Sequence, residues 1–200
     1  SSWVCTRWAG PPSCVGCGHR VRRYHAAPKS SERRVRTLVL GGIRSGKSRW
    51  AEAAITENLT DGDTVCYVAT GAALTADPDW EQRIAAHRHR RPPSWSTAET
   101  AEVAALLRTD PTTPVLVDDL GGWLTAVLDR SGWDAGSIED DVEELVAAVG
   151  RASTDLVLVS PEVGLTVVPA TAAGRRFADE LGSLNQRLPE FCDRVVLVVA

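Results

Sequence analysis

The chain has 200 residues, enough for one α/β domain with a full core and too few for two comfortable domains. The formal net charge is −4, but residues 1–36 carry +7, so subtraction leaves −11 for the rest of the chain. This acidic body argues against a nucleic-acid surface. No apolar run approaches the ~20 residues of a membrane span and no signal peptide is visible, so we expect a cytoplasmic protein without a membrane partner.

The first 36 residues differ in composition from the rest and show neither strand nor helix periodicity. We expect residues 1–36 to be a disordered or non-native extension, with the natural start near Val35, since the chain contains no methionine even at position 1. Cys14 and Cys17 form a Cys-x-x-Cys pair that is half of a possible zinc site. No second pair follows it, which argues against zinc.

The body, residues 37–200, alternates short apolar runs with helical patterns, which predicts a mostly parallel α/β sheet flanked by helices. The predicted strands are Thr37–Leu40, Thr64–Ala69, Val115–Val117, Leu156–Val159 and Val195–Val199. The predicted helices run over 47–58, from Asp77 to before Pro92, and over 99–108, 123–128, 138–150 and 172–188. Because the last strand reaches the end of the chain, the natural C-terminus is expected to extend further. Two cysteines beside apolar runs, Cys66 and Cys192, are predicted to be buried.

A glycine-rich segment between the first strand and the first helix matches G-x-x-x-x-G-K-[ST] in full. It consists of Gly41, Gly42, Ile43, Arg44, Ser45, Gly46, Lys47 and Ser48. Such a loop turns backbone N–H groups toward the phosphates of a nucleotide at a helix N-terminus. Lys47, one of only two lysines in the chain, neutralises phosphate charge, and the Ser48 hydroxyl is placed to hold Mg²⁺. The segment predicts a P-loop NTPase fold of the RecA-like type.

The predicted strand at 115–117 is followed directly by two carboxylates. An apolar strand of this kind delivers a carboxylate beside the phosphate loop, so Asp118 is predicted to bind Mg²⁺ directly or through water. Asp119 is the alternative for the same role, and otherwise is a helix cap or turn residue.

A basic segment, residues 83–91, is open to two interpretations. A charge run is usually a solvated helix face. However, Ile84, His87 and Arg91 fall at helical spacing, so His87 shares an apolar face while His89 points roughly opposite. His87 is therefore either a hydrogen-bonded core histidine, which periodicity favours, or a nucleophile in a guarded site. The arginines suit the negative charge of a nucleotide.

Further motifs stand in order along the body: Gly-Gly-x-Arg-Ser-Gly-Lys-Ser-Arg at 41–49, Arg-Ile-x-x-His-Arg-x-Arg-Arg-Pro at 83–92, Trp-x-Thr-x-Glu at 95–99, an Asp with Trp-Leu-Thr at 118–125, Glu-Val-Gly and Val-Pro at 162–169, and Gly-x-x-Asn-Gln at 182–186. Together they resemble the bifunctional adenosylcobinamide kinase/adenosylcobinamide-phosphate guanylyltransferase family of cobalamin synthesis. The resemblance covers the body and none of the tail.

The resemblance implies two reactions. ATP or GTP phosphorylates adenosylcobinamide, and GTP then transfers GMP to adenosylcobinamide phosphate through a guanylylated histidine, releasing pyrophosphate. It maps that histidine onto His87 and so overrides the core assignment. The nucleotide contacts implied by the resemblance are Arg49, Gly71, Ala72, Arg88, His89, Arg90, Arg91 and Glu99. A homo-oligomer, a trimer in this family, is also implied.

Some positions depart from the family pattern: Gly121, Gly122, Ala126, Pro161 and Thr166. They leave open whether both half-reactions are retained. A P-loop kinase of another small metabolite and a non-catalytic nucleotide-binding module remain the alternative functions.

Overall fold

The computed structural model describes residues 34–57, 59, 63–71, 91–109, 111–134, 136–165 and 167–199. The helix predicted from Asp77 and the cysteine pair of the tail lie outside these residues. The division of the chain at residue 36 stays a prediction.

The described part of the chain contains a six-stranded parallel sheet with the strand order β3-β2-β4-β5-β1-β6. Its strands are β1 (Arg36–Gly41), β2 (Cys66–Ala69), β3 (Ser96–Glu99), β4 (Val115–Asp118), β5 (Leu156–Pro161) and β6 (Arg194–Val198). Because the strands are parallel, the segments that follow β1, β2, β4 and β5 all lie beyond the carboxyl-terminal ends of the strands. Open α/β sheets bind ligands at this end.

Five α-helices and one short 3₁₀ helix accompany the sheet in the described residues. They are α1 (Lys47–Thr56), α2 (Val103–Arg108), α3 (Leu120–Ser131), α4 (Glu139–Arg151), α5 (Ala172–Arg187) and the 3₁₀ helix Leu188–Phe191. None of the helices in this described part is long and apolar enough to cross a membrane.

The alternation of side chains along each strand divides the core into two layers. Val39 of β1 packs in a cluster that includes Ala51 and Ile55 of α1, whereas its neighbour Leu38 packs on the opposite face of the sheet. The larger layer on that face is completed by apolar side chains of α2, α3, α4 and α5. Each fully buried leucine or valine contributes about 1.5–3 kcal/mol to the free energy of unfolding, relative to an exposed side chain. Both layers therefore stabilise the sheet and the loops that follow its strands.

The prediction of a helix over 99–108 was wrong at its start, and the count of about five strands was one too low. Ser96–Glu99 forms β3, which pairs with β2, and helix α2 begins only at Val103. The strand lies at the edge of the sheet and three of its four side chains are exposed. Its sequence therefore lacks the apolar alternation of a half-buried strand, and pairing with a distant segment determines its structure.

Other boundaries differ less. Helix α3 begins at Leu120 rather than Trp123, because the Asp119 side chain caps it and the two glycines form its first turn. Cys66 and Cys192 are free thiols that are only partly buried, so the expectation of burial was too strong. For Cys192, burial raises the pKa of the thiol to about 12.

Candidate nucleotide-binding site

The phosphate loop connects the end of β1 to the first turn of α1. Gly46 has a φ of 88°, a left-handed conformation that glycine adopts without steric cost, and its carbonyl accepts the N–H of Trp50 at 2.9 Å. Within the loop the Ser45 N–H donates to the Gly42 carbonyl at 3.3 Å. The loop residues predicted from the motif thus occupy the expected strand–loop–helix geometry, ahead of the positive end of the helix dipole.

The first glycine of the loop is required by close packing. A Cβ on Gly41 would lie 2.5 Å from Ser45 Oγ and 2.9 Å from the Val198 carbonyl oxygen of β6. The Ser45 hydroxyl is buried, and among the described residues it has no hydrogen-bond partner. Buried hydroxyls are normally paired, so this one is suited to a contact with a bound group.

Asp118 lies at the end of β4 and joins the phosphate loop through a hydrogen bond. The Ser48 hydroxyl donates to Asp118 Oδ1 at 3.2 Å, and the Tyr67 hydroxyl of β2 donates to Asp118 Oδ2 at 2.8 Å. The two residues predicted as magnesium ligands, Ser48 and Asp118, are therefore brought together. Burial and the neighbouring Asp118 carboxylate raise the pKa of the Tyr67 hydroxyl, which keeps it a donor.

Asp119 is placed by the structure as the cap of α3. Its Oδ1 accepts the N–H of Gly122 at 2.9 Å, and the peptide bond between Asp118 and Asp119 is cis. Burial, reinforced by the Asp118 carboxylate, raises the pKa of Asp119. Of the two alternatives weighed from the sequence, the geometry places Asp118 at the loop and gives Asp119 the structural role.

Arg91 closes the basic segment and contacts the same network. Its guanidinium lies 3.4 Å from the centroid of the Tyr67 ring, and its Nη1 donates to Thr97 Oγ1 at 3.2 Å. An open cleft of about 410 Å³ brings it beside Arg49, another predicted nucleotide contact. The cleft is lined by Arg49, Glu52, Ala53, Thr56, Arg91, Pro92 and Trp95.

The remaining predicted contacts are only partly placed. Gly71 follows β2 beyond its carboxyl-terminal end, and Glu99 is exposed at the end of the neighbouring strand β3. Gly122 packs directly on this turn, since a Cβ there would lie 2.9 Å from the Gly71 nitrogen. Four further predicted site residues lie outside the described residues: Ala72, Arg88, His89 and Arg90. His87, the predicted nucleophile, also lies outside them.

Two features of the site were not predicted from the sequence. Tyr67 stands out in the sequence only as a hydroxyl within an apolar strand. The second feature is a buried pair, in which the Ser160 hydroxyl donates to Asn185 Oδ1 at 2.6 Å. The Asn185 amide also donates to the Pro161 carbonyl at 3.0 Å. Asn185 belongs to one of the resemblance motifs, which was the available signal. No cluster of three or more His, Cys, Asp or Glu side chains suited to a metal occurs in the part of the chain that the structure describes.

A glycine-rich loop at a helix N-terminus, beside a strand that ends in a carboxylate, defines the chain as a P-loop nucleotide-binding protein of the α/β class. The model of one family matches residues 37–200, and this family is described as cobinamide kinase / cobinamide phosphate guanyltransferase, CobU. The chain belongs to this family.

Curated relatives agree with this family assignment. The chain is 41% identical over 169 residues to the bifunctional adenosylcobalamin biosynthesis protein CobP of Pseudomonas aeruginosa, covering 83% of this chain and 94% of the relative. It is 37% identical over 177 residues to the bifunctional adenosylcobalamin biosynthesis protein CobU of Salmonella typhimurium, covering 82% of this chain and 94% of the relative. A solved structure, the DnaC helicase loader, aligns over 85% of this chain and 81% of that chain at 12% identity and a TM-score of 0.39.

Proposed function

We propose that this chain carries out two consecutive reactions of cobalamin synthesis. In the first, the γ-phosphate of ATP or GTP passes to the hydroxyl of adenosylcobinamide. In the second, GMP passes from GTP to adenosylcobinamide phosphate, giving adenosylcobinamide-GDP and pyrophosphate. Membership of the CobU family over residues 37–200 supports both reactions. The observation that carries the proposal is the phosphate loop, with Ser48 hydrogen-bonded to Asp118 at 3.2 Å.

The residues at this point fit a bound Mg²⁺. The Ser48 hydroxyl and the Asp118 carboxylate supply oxygen donors, which Mg²⁺ prefers, and both stand at the loop that would hold the phosphates. Bound there, Mg²⁺ would neutralise charge on the phosphate oxygens. The adjacent carboxylate, Asp119, already accepts a backbone hydrogen bond as a helix cap.

For the kinase step, the loop N–H groups and Lys47 would bind the β- and γ-phosphates and stabilise the charge that develops during transfer. The substrate hydroxyl oxygen forms a bond to the γ-phosphorus and loses its proton. The bond from that phosphorus to the bridging oxygen breaks, and the nucleoside diphosphate leaves. The buried Ser45 hydroxyl is available within the loop for a further contact to a phosphate oxygen.

For the guanylyl step, a neutral His87 imidazole would attack the α-phosphorus of GTP. A nitrogen–phosphorus bond forms, the α–β bridging bond breaks, and pyrophosphate leaves. A phosphate oxygen of adenosylcobinamide phosphate then displaces the imidazole and forms the diphosphate link. Support comes from Arg91, four positions after His87 in the sequence, whose guanidinium stacks on the tyrosine that bonds Asp118.

The nucleotide contacts beyond the loop are part of the same proposal. Arg49 and Arg91 line one cleft, where their charges suit phosphate groups. Glu99 ends β3 opposite Ala69, the last residue of β2, and Gly71 follows two residues after Ala69. We also propose contacts from Ala72, Arg88, His89 and Arg90, a homotrimeric assembly, and a cytoplasmic location.

The test is product formation by the purified full chain. With adenosylcobinamide, GTP and Mg²⁺, chromatography with mass detection should show adenosylcobinamide phosphate and then the GDP-linked product. When adenosylcobinamide phosphate is supplied, His87→Ala should form no GDP-linked product. When adenosylcobinamide is supplied instead, the same variant should still form adenosylcobinamide phosphate. Absence of both products with the unmodified chain would refute the proposed function.

A further inference from the structure

Tyr67 occupies an unusual position for a hydroxyl-bearing side chain. It lies in the middle of β2, is only 3% exposed, and packs in the core layer that includes Leu116 and Ile55. Phenylalanine would fill the same apolar space without bringing a polar group that has to be paired. Core packing therefore explains the aromatic ring at this position but not its hydroxyl group.

That hydroxyl is used on Asp118. Tyr67 and Ser48 donate to different oxygens of the same carboxylate, at 2.8 Å to Oδ2 and 3.2 Å to Oδ1. One donor on each oxygen fixes the rotation of the carboxylate about its Cβ–Cγ bond. In the sheet register Tyr67 is opposite Leu116 and Ala69 is opposite Asp118, so the tyrosine reaches Asp118 diagonally across one face.

The ring itself is held on its other side. The Arg91 guanidinium lies 3.4 Å from the ring centroid, and Thr97 on β3 accepts a hydrogen bond from that guanidinium at 3.2 Å. Core packing and this stacked cation leave the ring little room to turn away. The hydroxyl is therefore presented to Asp118 from a rigid support, which is what a ligand-orienting residue requires.

We propose that Tyr67 is a positioning residue that orients Asp118 toward Ser48 for the binding of Mg²⁺ with the nucleotide. The inference rests on the proposed function for the role of Asp118. It adds a residue that acts through the carboxylate rather than on the substrate. Hydrogen bonds to the ligands of a metal typically alter metal affinity or activity by about 10–100-fold.

Nucleotide binding with and without Mg²⁺ tests this. A fluorescent, non-hydrolysable GTP analogue is titrated into the full chain in EDTA and then in excess Mg²⁺, and the ratio of the two dissociation constants measures the Mg²⁺ effect. Tyr67→Phe keeps the ring and its contact with Arg91 but removes the hydroxyl. We expect it to reduce the Mg²⁺ effect about 10-fold and to leave binding in EDTA within about twofold.

The other tyrosine of the chain supplies the matched control. Tyr24→Phe removes a hydroxyl outside the region that the family covers, and it should leave both dissociation constants unchanged. Ser48→Ala should lower the Mg²⁺ effect at least as much as Tyr67→Phe. An unchanged or larger Mg²⁺ effect in Tyr67→Phe would overturn the inference. Equal weakening of binding with and without Mg²⁺ leaves the ratio unchanged, and it is the result that a purely structural role predicts. Product formation by the unmodified chain would stand in either case, so the two failures are distinguishable.

Discussion

The buried pair of Ser160 and Asn185 should contribute measurably to stability, because it joins α5 to the end of β5. Ser160 is fully buried and donates to the Asn185 side chain, whose amide in turn donates to the Pro161 carbonyl. Asn185→Leu removes both bonds and leaves the Ser160 hydroxyl without its acceptor. At about 1–3 kcal/mol for an unsatisfied buried group, we expect a loss of about 3 kcal/mol in the free energy of unfolding.

Urea denaturation of the nucleotide-free chain measures this loss, and a double-mutant cycle isolates the pair. Ser160→Ala alone should cost about 2 kcal/mol, since it leaves the Asn185 oxygen without its donor. The double variant should be more stable than the sum of the single changes predicts, by about 1 kcal/mol or more. Additivity within about 0.5 kcal/mol would contradict the structural account of this pair.

The same pair should matter for the phosphate loop. Pro161 is opposite Gly41 in the sheet register, and the Glu162 N–H donates to the Gly41 carbonyl at 3.0 Å. Asn185→Leu should therefore weaken binding of the GTP analogue. Val149→Ala is the control: it truncates a fully buried side chain of α4 next to Gly150, whose carbonyl accepts a hydrogen bond from Arg36 at the start of β1, the end of that strand opposite to the phosphate loop. It should destabilise the chain without changing nucleotide affinity in the folded state; equal weakening of affinity by both variants would refute the link.

Three further predictions concern stability. Gly122→Ala should destabilise the chain by about 1 kcal/mol or more in urea, because its Cβ would lie 2.9 Å from the Gly71 nitrogen, whereas Gly182→Ala, with open space around it, should stabilise by about 0.4–1 kcal/mol. Asp119→Ala should cost about 1 kcal/mol through loss of the α3 cap, while Asp119→Asn should retain most of that stability. The pKa of Cys192 is raised from 9.0 to about 12, so its stabilising contribution is complete below pH 9 and is lost as the pH rises toward 12. Between pH 8 and pH 10.5 the free energy of unfolding should fall by roughly 1–2 kcal/mol more for the unsubstituted chain than for Cys192→Ala, as measured in urea. Equal falls in the two proteins would contradict this prediction.

The parts of the fold that depend on local sequence were predictable. The strand, loop and helix around Gly46 follow from a contiguous motif, and Asp118 follows from an apolar strand that ends in a carboxylate. Helix α4 was predictable because Val142, Leu145 and Val149 repeat at helical spacing, and the structure buries all three. In each case the physical cause lies within a few residues of its effect.

The parts that depend on pairing between distant segments were not predictable. Strand β3 is exposed and polar, and forms because Ser96–Glu99 finds the free edge of β2. Likewise, the contact between Tyr67 and Asp118 joins residues 51 positions apart and requires the adjacency of β2 and β4. No spacing within the sequence encodes either contact.

Covalent guanylylation is the most direct test of the proposed activity. The purified chain is incubated with GTP and Mg²⁺, and its intact mass is compared with that of untreated protein, followed by peptide mapping at alkaline pH. We predict one added GMP on the peptide that contains His87, released when adenosylcobinamide phosphate is supplied, and no addition in His87→Ala. Formation of the GDP-linked product without any GMP attached to the protein would contradict the account. Attachment of GMP at another residue would contradict it as well.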